Sequence, residues 1–382
     1  MAKKEKISLI IINAVLLLLS AACVIVAISL VNNLYSQKEA ERWRGDSEMQ
    51  FSQLSVFLPV DSTVSVEKIN TFRSDMNTAL EQQFGEEYSP FNDAFSCEGT
   101  VKISSDRASA DVPVIAVGGN FFDFHPLKLI SGSYIHDEDG DINRVVLDEE
   151  LAWLLFGGCD VAGMEVTVNK GTFYVAGVVD REDDYASRKA FTPDMGFFMN
   201  YNAYSNLDGL SMVESVDVNA SGNDSSASKP AITCYEVVMP NPVKNFALNI
   251  VKEKFPVGTG DVVENTGRYS LKNLFSIMKD FAARVIASNG ISYPYWENAA
   301  RYTENKASML IFAAIMLLIL PNLAFIVFTI KNIIWTHDKI HSELIPKAQE
   351  NIEERIRVRQ RKRWEMKNLI KDNNKVENDK IE

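Results

Sequence analysis

Two stretches of the chain contain no Asp, Glu, Lys or Arg: residues 7–31, ISLIIINAVLLLLSAACVIVAISLV, and residues 307–330, ASMLIFAAIMLLILPNLAFIVFTI. A helix rises about 1.5 Å per residue and a bilayer's hydrocarbon core is about 30 Å thick, so either run can cross it with some tilt. The pattern predicts two transmembrane helices. A cleaved signal peptide is the rival for the first run, since Lys3, Lys4 and Lys6 form a basic leader, and Ser20-Ala21-Ala22 before Cys23 faintly suggests a lipoprotein site. The h-region of a signal is only about 7–15 residues long, whereas apolar residues here continue to Leu30, so an uncleaved anchor is expected. In the second run Pro321 removes a backbone donor and predicts a kink. Pro321 and Asn322 are candidate helix-packing residues, unless Asn322 satisfies its own kinked backbone.

Between the spans the periodicity alternates between two kinds. Residues 32–48 are polar and helix-tolerant, a stalk continuing the first span. Phe51, Leu54, Val56 and Leu58 then read as a strand ended by Pro59. After Ser65, Val66, Ile69, Phe72, Met76, Leu80 and Phe84 recur at helical spacing until Gly85. From about residue 110 to 200, short β-branched and aromatic runs separated by Gly, Asn or Pro predict strands. Among these, VTVNKGTFYVAGV is a hairpin turning at Asn169-Lys170-Gly171, and DEELAWLLFGG is a short helix stopping at Gly157-Gly158. Residues 219–230 form a polar loop, ITCYEVVM another strand, and a helix starts near Pro242. The remainder to Lys306 reads as partly helical.

Charge sharpens this layout. The 382 residues carry 39 basic and 51 acidic side chains, a net of −12 that argues against a nucleic-acid partner. Divided at the spans, the charge is +2 over residues 1–6, −17 over 32–306 and +3 over 331–382. Lysines beside the first span favour a cytoplasmic N-terminus, and Lys331 and Lys339 agree. Both termini are therefore expected inside the cell and the acidic segment outside. Cys97, Cys159 and Cys234 are too sparse for a disulfide scaffold, although one pair stays open.

The run VIAVGGNFFDFHPLKLISGSYIHDEDGDINRVVLDEELAWLLFGGCDVAGMEVTVNKGTFYVAGVVDRED closely resembles the central signature of the MacB-like periplasmic core domain. That domain is the outer part of ABC-transporter permeases of the MacB and FtsX superfamily. The matching positions begin with Phe121, Phe122, Asp123, Gly132 and Asp137, then Val145, Val146 and Leu147. They continue through Ala152, Leu155, Phe156, Gly157, Gly163, Val166, Asn169, Phe173, Val175, Gly177, Val178 and Val179. The resemblance covers about 70 residues specifically, as counted along the quoted run, and implies an α+β extracytoplasmic domain of two α/β lobes between two transmembrane helices. One lobe comes from the flanking segments and one from the inserted strand-rich middle. It also implies the membrane of a bacterial cell. Permeases of this family typically have four spans, and this sequence contains neither a third apolar run nor a G-x-x-x-x-G-K-[ST] motif. A separate ABC ATPase subunit and a four-span permease subunit are the partners implied.

Chemical motifs add little. In His136-Asp137-Glu138-Asp139-Gly140-Asp141, Ile142 stands where a calcium loop needs Gly, so an acidic turn is expected, and likewise at Asp180, Glu182, Asp183 and Asp184. Three S-x-x-K matches lack the companion motifs of acyl-transfer enzymes, no G-x-S-x-G or H-E-x-x-H occurs, and His125 and His136 are the only outer histidines. No cofactor, metal or catalytic residue is assigned. In the tail, Arg355, Arg357, Arg359, Arg361, Lys362 and Arg363 fall on an expected helix over 349–370, beyond Pro346. They are candidates for contact with anionic inner-leaflet lipid or an acidic partner, against a plain solvated helix. The expected function is a non-catalytic subunit of an ABC-type transport or mechanotransmission complex. The alternative is a two-span sensor signalling through its tail.

Overall fold

The structure is a computed structural model describing residues 3–85, 91–137, 139–182, 184–190, 195–207, 229–280, 287–288 and 290–378. The chain divides into two compact units: residues 23–312, and residues 1–22 together with 313–382.

Along the chain, α1 (Lys3–Asn32) and the short α2 (Glu39–Arg44) precede β1 (Phe51–Phe57) and α3 (Val66–Phe84). A long hairpin follows, β2 (Asn92–Ser104) and β3 (Ser109–Gly119), then α4 (Phe121–Phe124), β4 (Lys128–Gly132), β5 (Arg144–Asp148) and α5 (Glu149–Phe156). The middle closes with β6 (Glu165–Val168), β7 (Gly171–Asp180), α6 (Tyr185–Ala190), β8 (Phe197–Asn200) and α7 (Tyr201–Ser205). The return comprises β9 (Cys234–Pro240), α8 (Phe246–Lys254), β10 (Asp261–Glu264) and α9 (Leu271–Asp280). The two-residue strands β11 (Ala287–Ser288) and β12 (Ile291–Ser292) then lead into α10 (Tyr295–Lys339), and α11 (Ile345–Asn378) comes last.

In the larger unit ten strands form one mixed sheet ordered β10-β1-β9-β2-β3-β8-β5-β7-β4, with β6 paired to β2 and β7. The flanking segments supply the half from β10 to β2 and the middle supplies the half from β3 to β4. The two expected lobes are thus halves of one sheet, joined by the β2–β3 hairpin register from Ala94↔Gly119 to Ser104↔Ser109.

Both faces are buried, so side chains alternate between two cores. On β1, Leu54 and Val56 enter one cluster while Phe51 and Phe57 enter the other. Val145 and Leu147 of β5 oppose Val146 in the same way. The first face is covered by α3, α5, α7 and α8 through residues such as Phe72, Leu151, Tyr204 and Val251. Phe72 meets Tyr235 and Phe255 edge-on, with centroids 5.7 and 5.1 Å apart. Burial of each such side chain contributes about 1.5–3 kcal/mol. The second face is covered by Ala40 of α2, by Phe121, Phe122 and Phe124 of α4, and by Tyr295 and Trp296 at the start of α10.

The amphipathic helix at 66–84 and the hairpin at Asn169 form as the pattern predicts, Asn169 taking the left-handed conformation at φ 52°. Asp148 caps α5 by accepting from Leu151 N at 2.7 Å, and Gly157 ends it at φ 82°. Three elements differ from expectation. The 13-residue β2 lies upstream of the expected strand region, and β10 adds a strand beside β1 in a stretch read only as partly helical. The helix expected at Pro242 begins at Phe246, after Asn245 at φ 67°. The polar loop at 219–230 falls largely outside the described residues.

In the smaller unit, Ser20 Oγ of α1 donates to Ala314 O of α10 at 3.1 Å, and both residues are buried. Helix α10 passes through Pro321 without ending, and a single wide turn at Ile340–Leu344 carries it into α11. The tail helix therefore begins at Ile345 rather than 349. Pro346 lies just past the wide turn, where its missing N–H and its ring are accommodated by the locally opened ladder. Each apolar helix is long enough to cross a membrane, within Ile10–Asn32 and Tyr295–Met366.

Candidate functional site

A heavily built polar region of the larger unit surrounds the first three turns of α10. Glu297, Arg301 and Glu304 recur at four and three residues, which places all three on one helix face. Arg268, 4% exposed, comes from the loop after β10 and grips that face. Its Nη1 and Nη2 donate to the two oxygens of Glu297 at 2.7 and 2.8 Å, while Nε and Nη2 donate to Glu304 at 2.8 and 3.2 Å. Nη1 also reaches Gln37 in the stalk at 3.2 Å. Burial alone would lower the Arg268 pKa, but Glu297 and Glu304 outweigh it and hold the guanidinium well above its ordinary value. Arg301 donates to Glu297 at 2.7 Å and to Asp261 of β10 at 3.1 Å, with its guanidinium 3.6 Å from the Tyr293 ring centroid.

A polar chain runs from this cluster into the sheet. Arg268 donates to Asn265 at 3.3 Å, Asn265 to Ser55 Oγ at 2.8 Å, and Ser55 to Glu236 at 3.0 Å. The other Glu236 oxygen lies 2.5 Å from His125 Nε2. The imidazole of His125 sits between the rings of Phe121 and Trp296, each 4.4 Å away. Ala299 and Ala300, fully buried, let the helix approach closely. The root of α10 is therefore held on one side by ion pairs and on the other by aromatic packing against the centre of the sheet.

The stalk is anchored separately. Gln53 of β1 donates to Ser36 O at 2.7 Å and accepts from Glu39 N at 3.0 Å, and Glu39 pairs with Arg42. Burial pushes the Glu39 carboxyl up to about 7 from its ordinary 4.5, with Arg42 opposing. The native state keeps this proton in a window where the unfolded state has lost it, so stability falls as pH rises through that window. Glu39→Gln is expected to flatten the fall in unfolding midpoint between about pH 5 and pH 8, an effect of about 2–3 kcal/mol, checked by circular-dichroism melts at both values.

The residues singled out from the sequence lie elsewhere. Pro321 is buried; Asn322 is exposed and its amide donates to Leu318 O of its own helix at 2.7 Å. Small residues sit at the contacts between apolar helices: Ser20 bonds Ala314 in the smaller unit, and Ala27 and Ala307 share a cluster with Leu274 in the larger. Arg355, Arg357, Arg359, Arg361, Lys362 and Arg363 are all exposed on α11, Arg357 lying 3.5 Å from Glu353. The acidic turn disperses its carboxylates: Asp137 accepts from Gly119 N at 2.6 Å, Asp139 from His136 N at 3.0 Å, and Asp141 from Asn143 N at 2.9 Å. Glu138 and Asp183 lie outside the described residues. Asp180 pairs with Lys128 at 3.1 Å, and Asp184 accepts from the first turn of α6. Among the described residues no group of three or more His, Cys, Asp or Glu converges as a metal site, and Cys23, Cys97, Cys159 and Cys234 are free thiols. Sequence reasoning missed the Arg268 cluster; the seven-residue spacing of Glu297 and Glu304 just before a span was the available signal.

The family model described as MacB-like periplasmic core domain matches residues 10–233. Similar solved structures include the periplasmic region of MacB from Actinobacillus actinomycetemcomitans, 15% identical, covering 61% of this chain and 94% of that one at a TM-score of 0.37. Another is the extracellular domain of the noncanonic ABC-type transporter YknZ from Gram-positive bacteria, 12% identical, covering 52% and 88% at 0.33. No curated protein matches the sequence.

Proposed function

This chain belongs to the MacB-like periplasmic core domain family, and from that premise we propose that it is a non-catalytic subunit of an ABC-type export or mechanotransmission complex. It is a membrane protein with an extracytoplasmic segment. In the proposal residues 32–306 lie outside a bacterial cell membrane, both termini lie in the cytoplasm, and a separate ATPase and a four-span permease complete the machine.

The observation that carries the reading is the continuity of α10. One helix starts in the core of the outer domain at Tyr295 and Trp296 and runs unbroken to Lys339. A helix held by both ion pairs and aromatic packing moves with the sheet, so displacement of the sheet is delivered to the apolar segment as a shift or rotation. Pro321, already buried in this chain, is assigned to packing of the apolar segment, and its exposed neighbour Asn322 to packing against the permease. Affinity isolation of the tagged full chain in mild detergent tests the reading. An ATPase and a four-span permease are expected to co-purify; recovery of the chain alone in several detergents would overturn it, and recovery with a kinase would establish the sensor reading instead.

The basic cluster of α11 is assigned to anionic lipid of the inner leaflet, each Lys or Arg near the surface contributing about 1 kcal/mol. A peptide of residues 345–378 is expected to sediment with phosphatidylserine vesicles and not with phosphatidylcholine vesicles. Glutamine at Arg355, Arg357, Arg359, Arg361, Lys362 and Arg363 is expected to abolish the association, as is high salt.

A further inference from the structure

A cavity of about 730 Å³ is lined by the centre of the sheet, by α6 and by the first turn of α10. That volume is in the range of small-molecule sites. Ile115, Leu127, Phe197 and Phe198 give it an apolar wall, and Tyr295 stands beside them. The charged part of the lining is unbalanced, with five acidic side chains against two arginines. Two of the acids are already neutralised: Asp148 by Arg181, whose Nε lies 2.9 Å away, and Asp180 by Lys128 at 3.1 Å. The remainder is Glu98, Glu150 and Glu182 against Arg188. Both oxygens of Glu182 accept from the Tyr295 hydroxyl, at 2.9 and 3.0 Å, and among the described residues no Lys or Arg pairs with Glu98 or Glu182.

The geometry points to this cavity as a binding site for a small organic cation with an apolar body. The charged head of such a ligand supplies the counter-ion that Glu98 and Glu182 lack, and its body displaces water from the aromatic wall. Anions of the same shape are rejected by the excess carboxylates. Burial pushes the Glu182 carboxyl up, so a bound cation competes with a proton there and binding weakens as pH falls. Because Tyr295 opens α10 and bonds Glu182, occupancy bears directly on the root of that helix. The site stands whether or not an ATPase partners the chain.

Calorimetric titration of the full chain in a neutral detergent tests this, with heats of dilution into empty micelles subtracted. The probes are tetraphenylphosphonium and tetraphenylborate, matched in shape and opposite in charge. Tetraphenylphosphonium is expected to bind one to one, and tetraphenylborate to give no saturable signal. Glu98→Gln with Glu182→Gln is expected to weaken the cation at least tenfold while the ligand-free melting midpoint stays unchanged. If that pair fails to fold, Glu98→Lys, on a solvent-exposed strand position, carries the test and is expected to abolish binding. Equal affinity for both ions, or an affinity untouched by the charge variants, would overturn the assignment.

Discussion

Replacing Arg268 by Ala is expected to lower the melting midpoint of the full chain by roughly 10 °C. The guanidinium is 4% exposed, and the two carboxylates it joins, Glu297 and Glu304, are 1% and 7% exposed. Its removal strands two buried carboxylates that shared one guanidinium, with Arg301 still paired to Glu297. Breaking a buried pair in this way costs about 3–5 kcal/mol, most of it the desolvation of the orphaned partners. At about 2–4 °C per kcal/mol for a domain of this size, the expected shift follows. Removing the charges together tells the same story from the other side. Arg268→Met with Glu297→Gln and Glu304→Gln is expected to recover at least half of the loss, because no ion is then stranded. Melts followed by circular dichroism check both, and a midpoint for Arg268→Ala within about 2 °C of the parent would contradict the account.

The second large effect concerns the helix rather than the cluster. Insertion of two glycines between Lys306 and Ala307 leaves the Arg268 grip above it intact. Everything beyond is rotated by about 200° and displaced by about 3 Å along the axis. The glycines also soften the helix, at about 1 kcal/mol each relative to Ala. The outer domain is therefore expected to melt within a few degrees of the parent. ATP hydrolysis by the isolated complex is expected to lose its dependence on the outer domain and to fall several-fold. A two-alanine insertion separates the contributions: it keeps the stiffness and changes only the phase, so it is expected to be as damaging if azimuth matters and milder if stiffness does. An undiminished rate with both insertions would remove α10 as the transmitting element.

Much of the architecture was legible because it is local. The stripe from Val66 to Phe84, the Gly157 stop and the Asn169 turn are each decided by neighbours within a few residues. Strand β2 was hidden because it serves two environments: Ala94 to Cys97 are buried in the sheet, while Glu98, Thr100 and Lys102 face outward. Its composition therefore carries no uniform strand signal. In β1 the buried Ser52, Gln53 and Ser55 look like surface residues until their partners Glu264, Ser36 and Glu236 meet them in the fold. Arg268 was illegible for the same reason. A lone arginine in Asn-Thr-Gly-Arg-Tyr reads as a solvated loop, and only tertiary contact with α10 makes it a buried clamp. Asn322 stands out for its polarity inside an apolar run, yet it bonds its own helix, and the hydrogen bond from α1 to α10 comes from Ser20, which the sequence suggested only as part of a lipoprotein-like site.

The central claim, that this chain operates beside a permease and an ATPase, is tested most directly by position-resolved photocrosslinking in living cells. A photoreactive amino acid at Phe325 or Ile326, both exposed on the apolar part of α10, is expected to capture a multi-span membrane protein. The same group at Gln360 in the exposed helix α11 is expected to capture an ATPase carrying the G-x-x-x-x-G-K-[ST] motif. Adducts only with a second copy of this chain, or none at any position, would contradict the account.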